Sequence, residues 1–135
     1  RSMDEEMLRE IDELAEQRNR YAKPAYLFIY DALHHTVEKM GKVDLPREQR
    51  HVSGGELLRG ISNYALSQFG PLTHEVFKRW GINETRDFGE IVFQLVNANL
   101  MSKTEDDNID DFTDVYDFAE ELDWKKRRAE FKQQS

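Results

Sequence analysis

The chain contains no cysteine, which excludes disulfides, thiolate nucleophiles, iron–sulfur clusters and cysteine-ligated zinc. No apolar run approaches the ~20 residues that a helix needs to cross a bilayer, and we expect no signal peptide before Met3. Phosphate-binding loops, dinucleotide-binding glycine motifs and the G-x-S-x-G nucleophile motif are also missing. We therefore expect a cytoplasmic protein without a cofactor, and we predict no catalytic residues.

The spacing of the histidines along the chain does not indicate a metal site. Two of the four histidines, His34 and His35, are adjacent, and adjacent side chains diverge by roughly 100° on a helix. No His-x-x-x-His pair occurs. A zinc site assembled in space from His51, His74 and a carboxylate is an alternative that no spacing supports. We predict structural or surface histidines and no bound metal.

What the sequence has in abundance is charge. Charged residues make up 34% of the chain and hydrophobic residues 39%, yet the hydrophobic residues fall into periodic clusters, as in a small globular protein. The length fits a single domain. We place that domain at residues 3–124 and expect a basic tail or helix end at 125–135.

The negative charge is concentrated in residues 104–124, which we call the acidic strip. This segment has ten acidic residues and no basic one, a net charge of −10, whereas residues 1–103 sum to −2 and residues 125–135 to +4. The acidity of the chain is therefore a local feature on a nearly neutral body.

Hydrophobic periodicity predicts helices along most of the chain. An amphipathic helix is expected near residues 3–17, and a second helix should begin at Pro24 and end at Gly41. A third helix should begin at a capping box made by Ser53 and Glu56, in which each side chain satisfies the other residue's backbone N–H.

Glycines divide the next part of the chain. Gly70 and a following proline predict a sharp turn, a short helix should then stop at Gly81, and a longer helix should span 85–99. If residues 100–118 pair as a β-hairpin, the order helix–helix–helix–hairpin is that of a winged helix.

The predicted fold is therefore mainly α. Its winged-helix-like core of three helices and a short β-hairpin lies at about 53–118, extended by two N-terminal helices and a C-terminal helix. A plain helical bundle with an irregular tail is the alternative, because Phe112, Val115 and Tyr116 also fit a helical period.

A set of short motifs resembles one known family. These motifs are RHVSG-x-EL, QFGP, WGI, DFGEIVF and LMSKTEDD, all within residues 50–107. Together they are similar to an uncharacterised bacterial family found mainly in planctomycetes and verrucomicrobia. The resemblance implies a small bacterial protein without an assigned activity, so it supplies no site residues.

The acidic strip fails as a calcium loop. An EF-hand needs glycine at loop position 6 and a bidentate Glu at position 12. Counted from Asp106, position 6 is Asp111 and position 12 is the shorter Asp117. Weak divalent-cation binding by clustered carboxylates stays open.

The segment before the third helix is a candidate anion site. Cationic side chains there precede a helix start with two glycines, and free N–H groups at a helix N-terminus attract anions. The candidate residues are Arg47, Arg50, His51, Ser53, Gly54 and Gly55. The alternative is a purely structural cap closed by Glu56.

DNA binding is disfavoured by charge. A winged helix places its last core helix in the major groove, and here that helix has Glu84, Asp87 and Glu90 against Arg86 alone. The acidic wing would repel phosphates, whereas specific binding needs several cationic contacts. We therefore expect neither nucleic acid nor a membrane as partner.

The function that these patterns favour is a non-enzymatic protein-interaction or adaptor module that binds a basic protein through the acidic strip. The alternatives are a winged-helix DNA-binding regulator, and an enzyme or anion-binding protein that uses the helix start at 50–56. The candidate partner-binding residues are Asp106, Asp107, Asp110, Asp111, Phe112 and Tyr116.

Overall fold

A computed structural model describes residues 5–132 of the chain. Within them the chain forms eight α-helices: α1 (Glu5–Arg18), α2 (Lys23–Lys39), α3 (Gly54–Phe69), α4 (Thr73–Arg79), α5 (Thr85–Asn97), α6 (Phe118–Glu121), α7 (Trp124–Arg127) and α8 (Ala129–Lys132). Three 3₁₀ turns connect them: Arg47–Gln49, Gly70–Leu72 and Ile109–Phe112. The prediction of a mainly helical fold is confirmed.

The predicted β-hairpin is wrong, because no strand forms anywhere in residues 5–132. The segment 100–118 instead contains tight turns and the 3₁₀ turn Ile109–Phe112. Its Asp and Asn side chains accept hydrogen bonds from nearby backbone N–H groups, and such local bonds compete with strand pairing. Without a hairpin the winged-helix core has no wing, and the helical-bundle alternative describes the chain better.

The helix boundaries follow the local signals in the sequence. Gly41 and Gly81 adopt the left-handed conformation, with φ of 71° and 87°, where α2 and α4 have ended. The last long helix stops earlier than predicted, at Asn97, and Asn99 takes the left-handed φ of 63°. Asparagine tolerates this conformation better than other non-glycine residues.

The core is centred on α2, which packs against α1, α3 and α5. Aromatic rings fill the space where the helices meet. The centroid of the Phe77 ring lies 5.2 Å from that of Phe88, 5.8 Å from that of Phe118 and 6.0 Å from that of Phe28. These separations are typical of favourable ring pairs in protein cores. Phe118, from the acidic strip, is thus part of the central core.

Helix α5 is buried on nearly all sides. Of its thirteen residues only Asn97 is exposed. The 3₁₀ turn Ile109–Phe112 packs directly on it, so closely that a Cβ added at Gly89 would lie 2.8 Å from the Phe112 side chain. The packing of α5 therefore differs from that of a winged-helix recognition helix, which presents one face to a DNA groove.

A buried carboxylate joins the start of α5 to the turn between α1 and α2. The side chain of Asp87 is 2% exposed. Its Oδ1 accepts hydrogen bonds from the Tyr21 hydroxyl at 2.5 Å and the Arg20 guanidinium at 2.9 Å. Its Oδ2 accepts from the backbone N–H groups of Asn83 and Glu84 at 2.8 and 3.1 Å. A buried charge is tolerated when it is bonded in this way.

The same polar layer continues along α2 and α5. The Tyr21 hydroxyl also lies 3.2 Å from the Glu90 carboxylate, and the Tyr26 hydroxyl donates to the Gln94 side-chain oxygen at 2.5 Å. Burial raises the pKa of both tyrosines, so both hydroxyls stay protonated and act as donors at neutral pH. The network therefore fixes how α2 and α5 lie against each other.

Replacing Asp87 should weaken the fold strongly. In Asp87→Ala two backbone N–H groups lose their acceptor and the Tyr21 hydroxyl keeps only its 3.2 Å contact with Glu90, which we expect to lower the free energy of unfolding by about 3 kcal/mol. Urea unfolding followed by circular dichroism measures the loss. The control Asp44→Ala removes an exposed acidic residue and should change stability by less than about 0.5 kcal/mol. Equal effects for the two variants would contradict the role given to Asp87.

Candidate functional site

The start of α3 is closed by its own side chains. Ser53 Oγ accepts a hydrogen bond from the Glu56 N–H at 3.2 Å, and the Glu56 carboxylate accepts from the Ser53 N–H at 2.9 Å. The backbone N–H of Ser53 lowers the pKa of Glu56, so this carboxylate stays ionised. The predicted capping box is confirmed, and it places a negative charge at the predicted anion site.

The other members of that site have their own contacts. Arg50 Nε donates to the Leu45 carbonyl at 2.6 Å, and Arg47 lies exposed in a 3₁₀ turn. His51 Nε2 lies 3.4 Å from an Asp107 carboxylate oxygen. The loop before α3 is therefore bonded partly to itself and partly to the acidic strip.

The structure brings the two predicted sites together at Gly54. A Cβ added there would lie 3.2 Å from the Asp111 Cβ and 3.3 Å from the Phe112 ring, whereas one added at Gly55 would meet nothing within 4 Å. Three acidic residues consequently lie around the α3 N-terminus: Glu56, Asp107 and Asp111. Their charge opposes the docking of an external anion there.

The acidic strip is a series of short turns closed by its own carboxylates. Asp107 accepts from the Thr104 N–H at 2.8 Å, and Asp111 accepts from the Asn108 N–H at 3.1 Å. The same arrangement recurs further on, where Asp117 accepts from the N–H of Glu120 at 3.2 Å and Asp123 from that of Lys125 at 3.0 Å. Four of the ten acidic residues thus stabilise turns or helix starts.

Two more carboxylates of the strip form ion pairs with the body. Asp110 lies 3.0 Å from Arg86 Nη1, and Glu121 lies 3.2 Å from Arg127 Nη1. Four further acidic side chains, which are all exposed, have no hydrogen bond or ion pair within residues 5–132: Glu105, Asp106, Asp114 and Glu120.

The aromatic residues of the strip face the core. Phe112 is buried, and the Tyr116 hydroxyl donates to the Leu58 carbonyl at 2.8 Å. Burial raises the pKa of Tyr116, so it stays a neutral donor. Of the predicted partner-binding residues, these two therefore anchor the strip, while the four aspartates lie at its outer side or at its turns.

Thr85 ties the strip to the start of α5. Its buried hydroxyl donates to the Phe112 carbonyl at 2.5 Å and accepts from the Val115 N–H at 3.1 Å. Arg86, the next residue, donates to both Asp110 at 3.0 Å and the Thr113 hydroxyl at 2.8 Å. Two consecutive residues of α5 thus hold both ends of the turn that carries Asp110 and Phe112.

Arg127 is a structural residue that the sequence analysis placed in a solvated basic end. Its side chain is 15% exposed and reaches between α3 and α6. It donates to the buried Ser62 hydroxyl at 2.6 Å and to the Glu121 carboxylate at 3.2 Å, and it also contacts Asn63 and Glu130. The one indication of this role in the sequence is Ser62, a polar residue within the apolar stripe of α3.

A groove of about 390 Å³ lies where α8 faces α2 and α3. The sequence analysis did not find it. Its α3 side consists of residues that recur at helical spacing on one face: Glu56, Arg59, Gly60, Asn63 and Ser67. This polar stripe is visible in the sequence. The sequence does not show that α8, which lies far along the chain, forms another wall of the groove.

Residues 5–132 contain neither a metal-binding cluster nor a membrane-spanning helix. No group of three or more His, Cys, Asp or Glu side chains in this part of the chain is arranged to hold a metal ion. None of its helices has the length and apolar character required to cross a membrane.

Removing the Thr85 hydroxyl should loosen the acidic strip. Thr85→Val keeps the shape but leaves the Phe112 carbonyl and the Val115 N–H without a partner, which we expect to cost about 1–3 kcal/mol in the free energy of unfolding. Thr104→Val, at an exposed position of the same strip, serves as the control and should cost less than about 0.5 kcal/mol. Urea titration compares them; a Thr85 variant as stable as the control would contradict this anchor.

Comparison with known proteins assigns no family to this site. No protein-family model, no curated protein and no solved structure matches the chain. The resemblance to a bacterial family stays a prediction, and the function has to be argued from the residues themselves.

Proposed function

We propose that this protein is a non-enzymatic protein-interaction module that binds a basic partner segment through the acidic strip. The observation that carries the proposal is the way the strip is held. Its backbone is tied to Thr85, and Phe112 and Phe118 are buried. Glu105, Asp106, Asp114 and Glu120 remain exposed and have no partner within residues 5–132. The charge is thus presented on a fixed surface.

Fixed charge is what an electrostatic docking surface requires. Carboxylates on an ordered backbone lose less conformational entropy on binding than those on a flexible tail. A surface of one sign also accelerates the encounter with a partner of the opposite sign and selects against partners of its own sign. Lysine- or arginine-rich protein segments have the matching chemistry.

The two alternative functions receive less support from the geometry. DNA binding in the winged-helix manner needs an exposed recognition helix, but α5 is enclosed by the core. Anion binding at the α3 N-terminus would have to overcome the charge of Glu56, whose carboxylate already accepts the Ser53 N–H. The absence of cysteine fits the reducing cytoplasm that we propose as the location.

Fluorescence anisotropy with a labelled lysine- and arginine-rich peptide tests the proposal. We expect binding at low ionic strength that weakens as salt is added. Replacing Asp106 and Asp114 by Asn, and Glu105 and Glu120 by Gln, removes four exposed charges that have no hydrogen bond or ion pair within residues 5–132, so the turns of the strip stay closed. This variant should bind the peptide about tenfold more weakly.

A charge-matched control separates the strip from the overall charge. Replacing Glu5, Glu6, Glu13 and Glu16 by Gln removes the same number of exposed negative charges from α1. Binding should stay near that of the unmodified protein. If both variants lose affinity equally, the peptide responds to net charge alone and the strip is not the binding surface. Unchanged binding by the variant at Glu105, Asp106, Asp114 and Glu120 would also reject the proposal.

A further inference from the structure

The groove between α2, α3 and α8 has the size of a small-molecule site. Its volume of about 390 Å³ lies within the range of ~300–1,000 Å³ that is usual for ligand pockets. Its floor is formed where α2 and α3 approach closely, since a Cβ added at Gly60 would lie only 2.0 Å from Thr36 Oγ1. The absence of a side chain at Gly60 therefore allows α2 and α3 to approach closely beneath the groove.

Two cations line the groove without a counterion of their own. Lys39 on α2 and Arg59 on α3 are exposed and form no hydrogen bond or ion pair within residues 5–132. The acidic residues beside them are already bonded, since Glu56 closes the α3 cap and Glu130 pairs with Arg127 at 2.9 Å. Lys39 and Arg59 thus outnumber Glu56, which is the lining carboxylate that is not paired with an arginine.

The remaining walls combine neutral polar and apolar groups. The His35 and Tyr64 rings pack in a tilted arrangement with centroids 4.6 Å apart, and burial and the nearby Lys39 lower the pKa of His35. Its imidazole is therefore neutral at pH 7. Met40 and Phe131 contribute apolar surface to the lining. A flat apolar body would find contacts on these side chains.

From this arrangement we infer that the groove binds a small organic anion, namely a carboxylate, sulfonate or phosphate group carried on a flat apolar body. Lys39 and Arg59 bind the anionic group, and Met40 and Phe131 contact the apolar body. A protein segment is a poorer fit, because a stable protein interface usually covers ~800 Å² on each partner. The site is separate from the acidic strip and does not depend on the function proposed for it.

Anilinonaphthalene sulfonate, an aromatic anion whose fluorescence rises in apolar surroundings, is a direct probe of this site. We expect saturable binding with one probe per chain. Lys39→Gln and Arg59→Gln should each weaken binding, and the double variant should weaken it by about tenfold or more. Both side chains are exposed, so the substitutions leave the core intact; cooperative thermal unfolding of each variant verifies this.

Two controls make the result specific. Lys78→Gln removes an exposed cation that does not line the groove and should leave binding unchanged. Phenylnaphthylamine, an uncharged molecule of similar shape, should bind more weakly and show no difference between the unmodified protein and the double variant. The inference is overturned if the unmodified protein shows no saturable binding of the sulfonate, or if the Lys39→Gln, Arg59→Gln double variant binds it as tightly as Lys78→Gln does.

Discussion

The buried carboxylate of Asp87 is the constraint on which the arrangement of the helices depends. An ionised group in the core is costly unless donors surround it, and here four donors come from two parts of the chain. Arg20 and Tyr21 precede α2, while the N–H groups of Asn83 and Glu84 precede α5. Because every donor must be in place, α2 and α5 have one favoured relative position. The surface that carries the acidic strip is built on that pair.

The acidic strip depends on α5 in turn. Thr85 and Arg86, in the first turn of α5, bond to Phe112 and to residues on either side of it. Phe112 then packs over Gly89, where any larger residue would collide with it. A segment whose composition is typical of a disordered tail is thereby held against the body. The order comes from its few apolar side chains and from Thr85.

The acidic residues of the strip have two separate tasks. Some carboxylates, such as those of Asp111 and Asp117, accept backbone N–H groups and close turns. Others, such as those of Asp106 and Asp114, are exposed and serve only as surface charge. The first group explains why the strip folds without a strand, and the second gives it the electrostatic character on which the proposed partner binding rests.

Local features were predictable from the sequence because their causes are local. The capping box of Ser53 and Glu56, the proline start of α2 and the left-handed glycines at 41 and 81 each involve residues a few positions apart. The β-hairpin was predicted wrongly because it was inferred from the order of the elements, whereas the Asp and Asn side chains of this segment favour local turns.

Long-range features were not predictable in this way. The bond between Tyr21 and Asp87 joins positions 66 residues apart, and that between Arg127 and Ser62 joins positions 65 apart. For the candidate site, the sequence identified the acidic segment and the α3 start. It did not indicate that Phe112 and Tyr116 face inward, that His51 meets Asp107, or that α8 completes a groove with α2 and α3.

The central claim is that the acidic strip is an ordered surface of the domain. Backbone amide order parameters from ¹⁵N relaxation test it most directly, because they report motion residue by residue. The account predicts values near ~0.85 for Asn108–Phe118, like those of α3 and α5, as expected for rigid backbone. Values below ~0.6 across this segment, with rigid helices elsewhere, would mean a flexible acidic tail and would contradict the account.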